Sequence, residues 1–151
     1  LSSFEGDHLR MNSGINVGIA VAVEHGLLVV SLGDCRDSSV LDISKTSKEV
    51  VERAQRGVIR EEDYTSSTFS ISNMGMFDVD SFSAIIYPPQ AAVLAVGTVR
   101  KLPVVRDDQI TIAQIMKATL STDHRVADGA QAAQFLAEIK RLLENPVTLL
   151  V

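Results

Sequence analysis

Only two stretches of this chain carry an apolar stripe at helical spacing; nearly every other apolar run reads as strand. Ser38 to Arg56 places Val40, Leu41, Ile43, Val50, Val51 and Ala54 on a partial stripe with charges opposite, and Gly57 supplies a stop. Gly129 to Leu143 sets Ala132, Ala133, Leu136, Ile139 and Leu143 on one side. Ile15 to Val23 and Leu27 to Leu32 read as two strands joined by a tight loop at Glu24-His25-Gly26. Thr68 to Ser72 alternates as a half-buried strand does, Pro88-Pro89 punctuates, and Ala91 to Val99 is a further apolar strand. Asp107-Asp108 turns between Val104-Val105 and Ile110-Thr111-Ile112, and Ile115 to Thr122 continues as strand. Strands, helix, many strands, helix is the order of an α+β sheet protein, with no internal repeat and no low-complexity linker.

At 151 residues, 46% of them hydrophobic, the chain has the size and composition of one domain with a real core. A net charge of -5 with no Lys/Arg cluster beyond a dipeptide excludes a nucleic-acid or anionic-membrane partner, which needs a basic face. The single Cys35 can form no internal disulfide and no multi-cysteine zinc site, and it suits a reducing compartment. No apolar run approaches the ~20 residues of a membrane span. Leu1-Ser2-Ser3-Phe4 has neither the basic nor the apolar part of a signal peptide; lacking an initiator Met, the chain is expected to be a fragment or processed product.

Chemistry concentrates in Ser121-Thr122-Asp123-His124-Arg125-Val126-Ala127-Asp128-Gly129, where an imidazole stands between carboxylates just before a helix. Histidine titrates near pH ~6.5 and can take or give a proton; His8 and His25 have no comparable surroundings. A plainer reading stands beside this one: Asp128, with Gln131 three residues on, can be a helix N-cap, and His124 a strand-end histidine bonded to a backbone carbonyl. A metal site is rejected, because the helix begins after His124 and Asp128 and no third ligand is near. A serine hydrolase is rejected for want of G-x-S-x-G, and Ser72 is a strand-end hydroxyl better suited to donate a hydrogen bond than to attack.

Asp123-His124-Arg125-Val126-Ala127-Asp128-Gly129 resembles the D-H-R-x-x-D-G segment of the dihydrolipoyl acyltransferases, the E2 cores of 2-oxo acid dehydrogenase complexes. Four more blocks are similar, in family order: Ile15 to Ala22, Thr68 to Phe77 (TFSISNMGMF), Pro88-Pro89-Gln90-Ala91 with Leu94 to Gly97, and Leu143 to Pro146. The resemblance implies a chloramphenicol-acetyltransferase-like mixed sheet with flanking helices, and homotrimers with the active site between subunits, built into a cubic or dodecahedral core. It implies that His124 is the general base for the thiol of coenzyme A or dihydrolipoamide, that Ser72 stabilises the tetrahedral oxyanion, and that Asp128 holds the turn. Asn73, Gly97 and Val99 are expected near coenzyme A. Coenzyme A enters as substrate, the lipoyl group on a domain outside this chain, and no metal is expected; E1 and E3 components would bind through missing domains. The M-G-M-F after the serine is most like the acetyl-transferring, pyruvate-type cores. The compartment implied is bacterial cytoplasm or mitochondrial matrix, not secretion.

Three departures accompany the match. Residues 1–151 resemble the C-terminal two-thirds of the catalytic domain, N-terminal elements missing; if nothing lies upstream of Leu1, Asp128 is expected to lack the upstream arginine of the family and the sheet to lack an edge. Gly26-Leu27-Leu28-Val29-Val30-Ser31 lacks the proline of the family's G-L-x-x-P-V, which bears on the shape of the substrate channel. Ser66-Ser67 replaces a glycine pair. An alternative is a non-catalytic structural subunit of the same core; retention of His124, Ser72 and Asp128 together favours the enzyme. A stand-alone acetyltransferase for a small hydroxyl acceptor is a third reading, disfavoured by the long match through the Ser72 and Pro88 blocks.

Overall fold

β-Branched and small residues build the first long strand, β3 (Val17–Val23), which follows a short hairpin of β1 (Ser2–Glu5) and β2 (His8–Met11). The computed structural model of the chain describes residues 1–64 and 67–149. β3 pairs antiparallel with β4 (Gly26–Leu32) across a two-residue turn at Glu24-His25, where Gly26 takes φ +140°, a conformation open to glycine. The first helix, α1 (Val40–Gln55), starts at Ser39, whose Oγ accepts the amide of Asp42 at 3.1 Å. It is followed by β5 (Phe69–Asn73), β6 (Ala92–Val96), the ribbon of β7 (Arg100–Arg106) and β8 (Gln109–Ile115), β9 (Ala118–Thr122) and α2 (Gly129–Glu144).

The main sheet runs β4-β3-β5-β6-β9, antiparallel at both edges and parallel through the centre. Register decides what each face carries, because side chains alternate. Val21, Val30 and Leu32 meet Val50 and Ala54 of α1 in the core, and Phe69 meets Phe135 of α2 edge-on, centroids 5.8 Å apart. Both helices therefore cover one face. On the other, Gly18, Ser31, Ser70, Val93 and Ser121 share one row. Ser72 and Ala95 occupy the next, with Thr119. Small residues are required there: a Cβ on Gly18 would lie 2.6 Å from Ser70 Oγ and 2.9 Å from Val29 Cγ1.

The α+β reading and both helices hold, and Asp107 and Asp108, at φ 50° and 59°, make the expected turn of the β7–β8 ribbon. Four details differ. The strand expected over Ile115 to Thr122 is broken at Met116-Lys117, where the Lys117 carbonyl accepts Gly97 N and the chain leaves the ribbon for the main sheet. The strand expected to reach Val99 stops at Val96, because Val79-Asp80 crosses Gly97. Val40 and Leu41 lie exposed rather than in the α1 core. On α2, Ala133, Leu136, Ile139 and Leu143 line an open groove of about 680 Å³ with Ile115 and Met116, so the anticipated stripe is only partly covered. The β1–β2 hairpin was not legible: its four-residue strands, SSFE and HLRM, are too short and too polar for a clear pattern.

Candidate active site

The strand-to-helix turn after β9 is held from its own backbone. Asp123 N donates to the Ala91 carbonyl at 2.7 Å, and Asp123 O accepts the amides of Val126 (2.9 Å) and Ala127 (3.1 Å). Val126 and Ala127 point toward Phe69 and Phe135 between α2 and the sheet, which leaves His124 exposed at the apex. Arg125 folds back on Asp123 through Nε and Nη2, the latter 2.7 Å from Oδ2, and also donates its backbone amide to Oδ1 at 3.0 Å. These bonds hold the Asp123 carboxyl down at about 2, so it is ionised at neutral pH.

Asp128 is the N-cap of α2. Its Oδ1 accepts Gln131 N at 2.8 Å while Gln131 Oε1 accepts Asp128 N at 3.0 Å, a complete capping box. The expected capping pair is present, and the cap fixes where the turn ends and the helix begins, which is compatible with a part in holding the turn beside His124.

Ser72 is half-buried near the end of β5. It stands in register with Ala95 of β6; one residue earlier, Ile71 pairs with Ile19 of β3, so Ala20 flanks Ser72 on the other side. Two small neighbours leave the hydroxyl unobstructed. A cavity of about 470 Å³ opens between Leu27, Val29, Tyr64, Ser67, Tyr87 and Gln90. Val29, one of its walls, pairs with Ala20 in the Ser72 row. Gln90 is buried and its Oε1 accepts Ser70 Oγ at 2.7 Å; nothing in the sequence beyond the P-P-Q run pointed to it.

Ser72 and His124 do not meet within one chain. Thr122 pairs with Ala92 at the start of β6, whereas Ser72 pairs with Ala95 three residues further on. At ~3.3 Å per residue and ~4.8 Å per strand, Ser72 and Thr122 are about 14 Å apart, and His124 lies beyond Thr122. The two side chains sit toward opposite ends of the sheet.

Asn73 is exposed and its Oδ1 accepts Gly75 N at 2.8 Å, shaping the turn after β5. Gly97 is buried under Asp80, where a Cβ would lie 2.2 Å from the Asp80 carbonyl oxygen; its smallness has a packing reason of its own. Val99 is exposed just before β7. Ser66 lies outside the described residues, while Ser67 lines the cavity beside Gln90. Among the described residues no group of three or more His, Cys, Asp or Glu is placed to hold a metal ion.

Residues 1–151 match the family described as 2-oxoacid dehydrogenases acyltransferase (catalytic domain). This chain belongs to that acyltransferase family. It is 43% identical over 148 residues to the dihydrolipoyllysine-residue acetyltransferase component of the pyruvate dehydrogenase complex of Zymomonas mobilis, covering 98% of this chain and 34% of that protein. The component of the same name from Rickettsia felis is 37% identical over 99% of this chain, which spans 36% of it. The chain thus spans about a third of the length of such relatives. A probable dihydrolipoamide acetyltransferase from Listeria monocytogenes superposes with a TM-score of 0.91 at 33% identity, over 95% of this chain and 62% of that one. The Azotobacter vinelandii dihydrolipoamide acetyltransferase does so at 0.93 and 28%, over 99% and 63%. The acyltransferase fold is therefore that of the E2 catalytic cores. The Azotobacter enzyme was studied for the catalytic role of a serine, a histidine 52 residues later and an asparagine four beyond it. In this chain Ser72, His124 and Asp128 stand at the same intervals, with aspartate in the third place.

Proposed function

We propose that this chain is a dihydrolipoamide acyltransferase, moving an acyl group, acetyl by its M-G-M-F signature, between dihydrolipoamide and coenzyme A. The observation that carries this reading is the presence of Ser72 and His124 at the Azotobacter interval, one on a face of small residues and the other at the apex of a braced turn. A thiol of pKa ~8.5 is a weak nucleophile until deprotonated, and an imidazole can take its proton as the sulfur attacks. The thiolate adds to the thioester carbonyl and the oxygen becomes an oxyanion, to which Ser72 Oγ donates. Collapse expels the other thiolate, and the imidazolium returns the proton to it. Because Ser72 and His124 of one chain are too far apart to share one tetrahedral intermediate, the site combines His124 of one copy with Ser72 of another.

Assembly into such a site is supported by residues 79–87. Burial alternates along them, with Phe82, Ala84 and Ile86 half-buried and Ser83, Ile85 and Tyr87 exposed, yet they join no strand among the described residues. The carbonyls at its ends are taken by Thr98 N and Gln90 N, and the stretch between them, with its alternating burial and no ladder of its own, is suited to pairing with another copy. The cubic core of a pyruvate dehydrogenase multienzyme complex superposes on this chain with a TM-score of 0.93 at 28% identity. The corresponding reading here is a trimer built into a core, with lipoyl groups and the E1 and E3 components reached through other domains. Asn73, Gly97 and Val99 stay assigned to the coenzyme A side, Gly97 through the backbone path it permits. No metal takes part in the proposed mechanism. Relatives of this name occur in bacteria and in mitochondria, which fits a bacterial cytoplasmic or matrix protein.

The test is acetyl transfer from acetyl-coenzyme A to dihydrolipoamide by the assembled protein. His124→Ala is expected to lower kcat by about 10²–10⁴ without changing particle size. Assembled wild-type protein that transfers nothing would overturn the reading in favour of a structural subunit.

A further inference from the structure

The His124 ring makes no hydrogen bond to any described residue and is exposed, yet a general base must be held to within ~0.5 Å and about 10–20° of its working geometry. Within one copy, its orientation therefore depends on the peptide units on either side. Asp123, before it, is tied to Ala91 and carries the Val126 and Ala127 amides. Arg125, after it, clasps the Asp123 carboxylate through its backbone and its guanidinium, so that residues i−1 and i+1 bracket the histidine.

Phe4 completes the bracket from a remote part of the chain. The Arg125 guanidinium carbon lies 4.4 Å from the Phe4 ring centroid, a cation–π contact that covers one face of the group. Phe4 belongs to β1, and that hairpin is bridged to the rest through Ser3 and Gln90. Gln90 also takes the hydroxyl of Ser70, two residues before Ser72, and precedes Ala91, which anchors Asp123. The hairpin, the Ser72 strand and the His124 turn thus share one attachment point at Gln90-Ala91.

The structure assigns to Arg125, clamped between Asp123 and Phe4, the positioning of His124 for proton transfer, and to the β1–β2 hairpin the job of bringing Phe4 to it. This rests on His124 being the general base. A lysine cannot replace the arginine, having neither the fork that spans both carboxylate oxygens nor the flat face that stacks on a ring. The Arg125 side chain is 64% exposed, and an ion pair so placed adds little to stability. Losing the clamp should then act on turnover far more than on folding.

The experiment compares Phe4→Leu, Phe4→Trp and Arg125→Lys with wild type in the assembled protein, by steady-state acetyl transfer and by amide hydrogen exchange. Phe4→Leu and Arg125→Lys are expected to lower kcat about tenfold with KM for both substrates within about twofold, and Phe4→Trp to restore most of the loss. Exchange at the Val126 and Ala127 amides should quicken several-fold in Phe4→Leu although Phe4 is remote in sequence. The assignment is overturned if kcat stays within twofold, if the loss lies wholly in KM, or if Phe4→Trp is as impaired as Phe4→Leu. Exchange does not need activity. Unchanged protection in Phe4→Leu sinks the clamp even in a protein that transfers no acetyl group, whereas an inactive wild type with quickened exchange in that variant faults the general-base reading alone.

Discussion

Subunits carrying only His124→Ala and subunits carrying only Ser72→Ala should complement each other when assembled together. Alone, the first variant loses about 10²–10⁴ in kcat and the second about 10²–10³. The register of β5, β6 and β9 puts Ser72 about 14 Å from Thr122 and farther from His124, whereas both groups must come within ~3 Å of one tetrahedral intermediate. If each site takes its histidine from one copy and its serine from a neighbour, random co-assembly at equal amounts leaves about a quarter of the sites intact. Activity should recover to about a quarter of wild type, some 25-fold or more above either parent. The assay is acetyl transfer after unfolding and refolding the two variants together, with separately refolded and then mixed proteins as the control. Co-assembled particles no more active than the mean of their parents would refute the shared site and require a rearrangement that joins Ser72 and His124 within one chain.

Gly97→Ala should cost about 3 kcal/mol or more, read as a loss of ~6–12 °C in Tm, since the new Cβ would lie 2.2 Å from the Asp80 backbone oxygen, which cannot rotate away. Asp63→Asn should cost a similar ~3 kcal/mol in chemical denaturation: Asp63 is 2% exposed and pairs with Arg53 of α1 while accepting Arg60 N at 3.0 Å. In acid, Asp123 gives a signed expectation. Its carboxyl is held down at about 2 by Arg125, so its stabilisation is full above the unfolded value of ~3.9 and is lost as the pH falls through 2. Because solvent screens the exposed Arg125, the share is small: thermal scans of Asp123→Asn should show a slightly shallower decline between pH 4 and 2 than wild type, and an unchanged slope would remove Asp123 from the acid response.

What was legible in the sequence was whatever rests on neighbours along the chain. The α1 and α2 boundaries follow from Ser39, Asp128 and the apolar spacing, because caps and stripes are built within a turn or two. The Asp107-Asp108 turn is local in the same way, and so is the capping box at Asp128. Composition set the limits on partners, and the five blocks pointed to the family.

Tertiary structure alone decided the relations between distant segments. Which way β9 runs against β6 separates Ser72 from His124, and a residue list in which both appear gives no sign of that. Phe4 reaches Arg125 across more than a hundred residues, by way of a hairpin whose strands carry no periodic signal. Gln90 bonds Ser70 only because the chain returns to the same face of the sheet. Propensity and spacing act over a few residues, so the sequence determined the elements and named the chemical groups. Pairing register is fixed by burial summed over the whole sheet, and it was register that determined which of those groups can work together.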